Sequence, residues 1–100
     1  MVLYNLTIII EENIDLEWRN WIRSTFIPKI SDTSLFISHR ILKVLNSPNE
    51  GITYCIQFVA ETAAQYDEFV SVHATAIMEL HTQQFSNRCV SFSTLMEYVE

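Results

Sequence analysis

Glycine occurs once in this chain and proline twice, among one hundred residues. So little of either excludes linker-rich, collagen-like and low-complexity classes, and no internal repeat is present. Basic side chains are also scarce: six Lys plus Arg stand against twelve Asp plus Glu, a formal net charge of −6. Arg19 and Arg23 lie one helical turn apart, and Arg40 and Lys43 share a predicted strand, but neither pair builds a basic stripe. A nucleic-acid binder needs clustered cations to meet phosphates, so no nucleic-acid partner is expected. The same shortage argues against docking on an anionic membrane surface. No run approaches the roughly 20 apolar residues of a membrane span. The opening MVLYNLTIII lacks a basic n-region and a small-x-small cleavage site, and Asn5 and Thr7 interrupt it, so it is expected not to be a signal peptide. Cys55 and Cys89 have no CxxC spacing and are expected as reduced structural thiols of a cytoplasmic protein. With no HExxH, CxxC or Glu-x-x-His signature, no metal and no cofactor is assigned.

What is present is apolar. Hydrophobic residues make up 49 % of the chain, including six Phe, four Tyr and two Trp. That suffices for one core without disulfides, and the length predicts one domain over 1–100. Residues 2–11 alternate with period two: Val2, Tyr4, Leu6, Ile8 and Ile10 against Leu3, Asn5, Thr7, Ile9 and Glu11, a strand with one oily and one mixed face. Asn13 or Asp15 then caps a helix whose stripe is Ile14, Trp18, Trp21, Ile22 and Phe26, and Pro28 is expected to end it.

Leu35 to Ala60 organises the rest. Two β-rich runs flank Ser47-Pro48-Asn49-Glu50-Gly51, turn formers holding the only glycine. In the second run Ile52, Tyr54, Ile56 and Phe58 share a face, and Thr53, Cys55, Gln57 and Val59 the other. The first run has no such clean pattern, and a one-residue slip exchanges His39 and Arg40 between faces, so both stay open. Thr62 and Gln65 form a capping box opening a second helix. Its expected inward stripe is Tyr66, Phe69, Val70, His73, Ala76, Ile77, Leu80 and Gln84. His73 is therefore expected as a core histidine and His81 as a solvated one. The last strand, about 89–99, alternates Val90, Phe92, Thr94, Met96 and Tyr98 against Cys89, Ser91, Ser93, Leu95 and Glu97.

The order β-α-β-β-α-β predicts an α+β ferredoxin-like fold: a four-stranded antiparallel sheet with both helices on one face. Tyr4/Leu6/Ile8, Tyr54/Ile56/Phe58 and Val90/Phe92 are expected under the helices. The second face is then semi-apolar. Its polar members Asn5, Thr7, Gln57, Ser91 and Ser93, with His39 or Arg40, are the candidate ligand-binding set. An open apolar face of this kind usually marks an interface or ligand site, and two such sheets packed face to face would cover it. A single arginine there suits an anionic or carbonyl ligand, because its donor fork matches carboxylates. No acid/base or nucleophile role is assigned: Asp67 and Glu68 suit a helix N-terminus, and Ser24, Ser91 and Ser93 lack GxSxG context.

Trp18-x-x-Trp21-Ile22, Phe26-Ile27-Pro28, Phe36 ahead of a strand with Arg40, and Gly51-Ile52-Thr53-Tyr54 with Gln57 together resemble an uncharacterised bacterial family of about this length. That family belongs with the dimeric α+β barrel superfamily, and the resemblance covers essentially the whole chain. It implies two ferredoxin-like sheets paired into a barrel. Superfamily members include cofactor-independent monooxygenases, haem-using enzymes, lactone isomerases and ligand-sensing domains, so fold alone does not choose an activity. The leading expectation is a cytoplasmic homodimer, joined through the open sheet face, acting as a small-ligand-binding or structural module. The alternative is a monooxygenase- or isomerase-like enzyme using the barrel interior, with Arg40 or His39 and Gln57 polarising a substrate oxygen. A third is a haem-binding member with His39 as axial ligand.

Overall fold

The computed structural model describes all 100 residues. Four strands, β1 (Val2–Ile10), β2 (Ser38–Lys43), β3 (Ile52–Ala60) and β4 (Cys89–Glu97), form one antiparallel sheet in the order β2-β3-β1-β4. This is the expected ferredoxin-like architecture. The two strands with the cleanest alternation, β1 and β3, are the two central ones. Their register sets Tyr4 opposite Phe58, Leu6 opposite Ile56 and Ile8 opposite Tyr54. All six are buried beneath the helices, as their period predicts.

Two helical arms cover that face. The first starts with a 3-10 turn (Glu12–Ile14) and runs through α1 (Asp15–Trp21), a π turn (Ile22–Phe26) and α2 (Ile27–Ser31). No side chain caps its start. Asp15 instead accepts a hydrogen bond from the Tyr54 hydroxyl (2.6 Å) and pairs with Arg19 (3.3 Å), tying the helix to β3. The expected stop at Pro28 does not occur. A proline inside a helix removes an N–H and crowds the carbonyl four residues back. The wider π turn ahead of it, closed by Ile27 N–H to Ile22 O, lets the arm continue to Ser31.

The second arm comprises α3 (Ala63–Glu68), a π turn (Phe69–Ala74) and α4 (Thr75–Gln84). Thr62 and Gln65 make the predicted capping box, with both reciprocal bonds present. The π turn inserts one residue and advances the inward stripe by one position. Beyond Phe69 the core is met by Ile77, His81 and Phe85, not by Leu80 and Gln84. The two histidine expectations are thereby exchanged: His81 is buried, and His73 is half-buried with its ring stacked on Phe69.

The core is one cluster of sixteen side chains drawn from β1, β3 and both arms, with Trp18, Phe26, Phe58, Phe69 and Phe85 essentially solvent-free. Gly51, after the β2–β3 loop, has φ +84°, and a Cβ there would collide with the Ile10 carbonyl oxygen. Only glycine fits that backbone and that approach.

Candidate functional site

The helices leave the opposite sheet face uncovered, and register decides what it displays. Arg40 pairs with Gln57 and His39 with Phe58, so Arg40 lies on the open face. His39 is turned to the helix side, its ring against Phe58. It therefore cannot ligate a haem held between open faces, and that expectation is withdrawn.

In β4 the expected phase is reversed. Val90, Phe92, Thr94 and Met96 pair with Ile9, Thr7, Asn5 and Leu3 and share the open face. Ser91 and Ser93 pair with Ile8 and Leu6 and fall on the helix side, apart from the other candidates. The cause is that the helices reach β4 only at its first residue, Cys89: every residue after it is exposed. Burial therefore never selected its oilier face.

Four of the seven candidates come together. Arg40 Nε donates to Gln57 Oε1 (2.7 Å), Gln57 Nε2 to Asn5 Oδ1 (3.1 Å), and Asn5 Nδ2 to Thr7 Oγ1 (3.0 Å). Thr7 Oγ1 lies 3.7 Å from Cys55 Sγ. One polar chain thus crosses β2, β3 and β1. Each amide spends its oxygen on one neighbour and a nitrogen hydrogen on the next, which fixes both amide orientations and holds Arg40 from behind. Asn5 is itself buried. Around the chain stand Leu3, Ile9, Val59, Leu42, Val44, Val90, Phe92 and Met96, the last five being exposed large apolar residues.

A depression of about 120 Å³ adjoins Arg40, lined also by Ser38, His39, Gln57, Val59 and Tyr98. Ser38 and Tyr98 were not expected here. Ser38 follows from the β2 register, and Tyr98 from the reversed phase of β4. A wider, open depression of about 750 Å³ lies at the sheet end between Glu11–Asn13, Asn49–Gly51 and Asn87–Val90. The Arg88–Glu11 pair (3.6 Å) and the bond from Glu11 N–H to Arg88 O (3.3 Å) join its walls. None of the candidate site residues lines it.

Behind the sheet, Trp18 Nε1–H donates to His81 Nε2 (3.1 Å). The proton of neutral His81 is then on Nδ1, which faces Cys89 Sγ at 4.0 Å. Burial lowers the His81 pKa below 6.5 and raises that of the Cys89 thiol. Both shifts favour neutral groups, so this is a packed polar contact and not an activated nucleophile.

The chain belongs to the family described as Domain of unknown function (DUF4286), whose profile matches residues 1–99. No curated protein matches it. Among solved structures it is similar to a dimeric ferredoxin-like protein from an uncultured marine organism (15 % identity, 100 % of this chain and 96 % of that one, TM-score 0.70). It is also similar to SnoaB, a cofactor-independent oxygenase from Streptomyces nogalater (10 % identity, 99 % and 94 % covered, TM-score 0.70). A third likeness is to an MhuD variant with two manganese protoporphyrin IX molecules per active site (12 % identity, 100 % and 96 % covered, TM-score 0.74). Identities this low establish shared fold alone.

Proposed function

We propose that this member of a family of unknown function is a homodimeric small-ligand-binding or interaction module, whose two open sheet faces meet and close a barrel. The observation that carries this is the hydrogen-bonded chain Arg40–Gln57–Asn5–Thr7 set in an apolar surround on a face that no helix covers. Exposed Leu42, Val44, Val90, Phe92 and Met96 on one side of one sheet are costly in water. Packing against a second copy removes them from it and leaves the polar chain facing the interior. Two of the solved structures sharing the fold are described as dimeric ferredoxin-like proteins, which supports the same assembly here. The two free thiols suit a reducing compartment, so the location proposed is the cytoplasm, in line with the bacterial family resemblance. The hundred residues act as one domain around one core.

Native mass spectrometry of gently purified protein tests this, because it reports subunit number and retained small molecules together. A dimer supports the assembly, and a discrete added mass supports the binding role. A monomer overturns the assembly.

The alternative is a cofactor-independent monooxygenase- or isomerase-like enzyme with the barrel interior as pocket. It draws on the likeness to an oxygenase so described and on the Arg40–Gln57 pair, which could polarise a substrate oxygen. A dimer structure with its interior filled by side chains would exclude it.

A further inference from the structure

The Arg40 guanidinium stands without a counter-ion, and its surroundings define what it would accept. Arg19 and Arg88 each pair with a carboxylate of this chain, whereas Arg40, like Arg23, makes no ion pair. Its Nε is taken by Gln57 Oε1 at 2.7 Å. That bond uses one edge of the planar fork and leaves the two Nη nitrogens as donors. Gln57 is held by Asn5 and Asn5 by Thr7, so the guanidinium is anchored through three successive hydrogen bonds. Beside it lies the 120 Å³ depression, with the hydroxyl-bearing Ser38 and Tyr98 in its wall and no Asp or Glu.

From this we infer that Arg40 binds the carboxylate head group of a small organic acid. This deepens the proposed function and rests on it for the covering of the site. A fixed guanidinium matches a carboxylate by two parallel N–H···O bonds. Pockets that enclose a whole ligand usually measure about 300–1,000 Å³. A space of about 120 Å³ therefore receives a head group only, while the apolar body lies along the adjacent surface of Val59. One cation with neutral hydroxyls suits a monoanion better than a phosphate dianion, which gathers several cations or a helix N-terminus. Closure of a second sheet over Arg40 strengthens the requirement, because a guanidinium taken out of water needs an anion beside it.

The test is titration of the full chain, in carboxylate-free buffer, with benzoate and with its uncharged isostere benzamide, followed by amide chemical shifts. Benzoate is expected to shift residues around Arg40 and Gln57 and to bind about tenfold or more tightly than benzamide. Arg40→Gln should lower benzoate affinity by about tenfold or more and leave benzamide unchanged. Arg40→Lys, which keeps charge but loses the fork, should fall between. Equal affinities for the two probes, no binding of either, or an unaltered benzoate affinity in Arg40→Gln would overturn the inference. The subunit mass of the ligand-free protein separates the two claims. A dimer that does not discriminate the probes overturns the carboxylate assignment alone. A monomer that binds benzoate through Arg40 overturns the barrel alone.

Discussion

Lowering the pH should destabilise this protein through one side chain, His81. Its ring is 2 % exposed and packed among Trp21, Phe26 and Phe85, with the Cys89 thiol at Nδ1 and the Trp18 indole N–H donating to Nε2. No carboxylate pairs with it. Protonation places an N–H on Nε2, donor against donor, and leaves a charge in an aromatic cage. The folded-state pKa is accordingly depressed below 6.5 by desolvation. The unfolded chain therefore takes up the proton first as pH falls, so this contribution is complete above about 6.5 and is lost below it. For one proton bound only by the unfolded state, the loss between pH 7.5 and 5.5 reaches its ceiling of about 1.4 kcal/mol. Urea unfolding across that interval measures it, with His81→Gln as the reference. Glutamine can accept from the indole but does not titrate, and His39 and His73 are common to both proteins. Wild type should lose more stability than His81→Gln over the interval, by up to about 1.4 kcal/mol. Equal pH slopes would refute the reasoning.

Other substitutions address other joints. Gly51→Ala should cost more than about 1 kcal/mol in urea-unfolding stability, because it forces a Cβ onto the Ile10 carbonyl at a left-handed φ. Thr62→Ala removes half of the capping box and should cost about 1 kcal/mol by the same assay. Tyr4 and Tyr54 have pKa values pushed up to about 12, Tyr4 by burial and Tyr54 by burial and its bond to Asp15. Absorbance titration should therefore show two of the four tyrosines ionising well above pH 10, and Tyr54→Phe should remove one of them.

The sequence was most informative where one face of an element is buried. In β1 and β3 burial enforces period two, so Tyr4, Leu6, Ile8, Tyr54, Ile56 and Phe58 could be placed, and with them Asn5, Thr7 and Gln57 on the reverse side. β2 and β4 are edges. Neither is held under the helices along its length, and apolar residues occur on both faces. Pattern alone could not choose between His39 and Arg40, and it put Phe92 and Tyr98 on the wrong side. The π turns were equally invisible, since a shift of one residue inside a helix changes neither composition nor length. Their trace is that His81 and Phe85, but not Leu80 and Gln84, continue the stripe from Phe69 and Ile77. The depression beside Arg40 draws on both edges, through Ser38 of β2 and Tyr98 just beyond β4, which is why its outline emerged only with the register.

Sedimentation equilibrium of the wild-type chain beside Phe92→Glu addresses the open face directly. Phe92 is exposed on an edge strand, so a charge there should leave the fold and its circular dichroism intact. If two open faces close on each other, the wild type sediments at twice the 11.7 kDa chain mass and Phe92→Glu at the chain mass itself. A wild type that sediments as a monomer, or a Phe92→Glu protein that remains dimeric, would contradict the barrel.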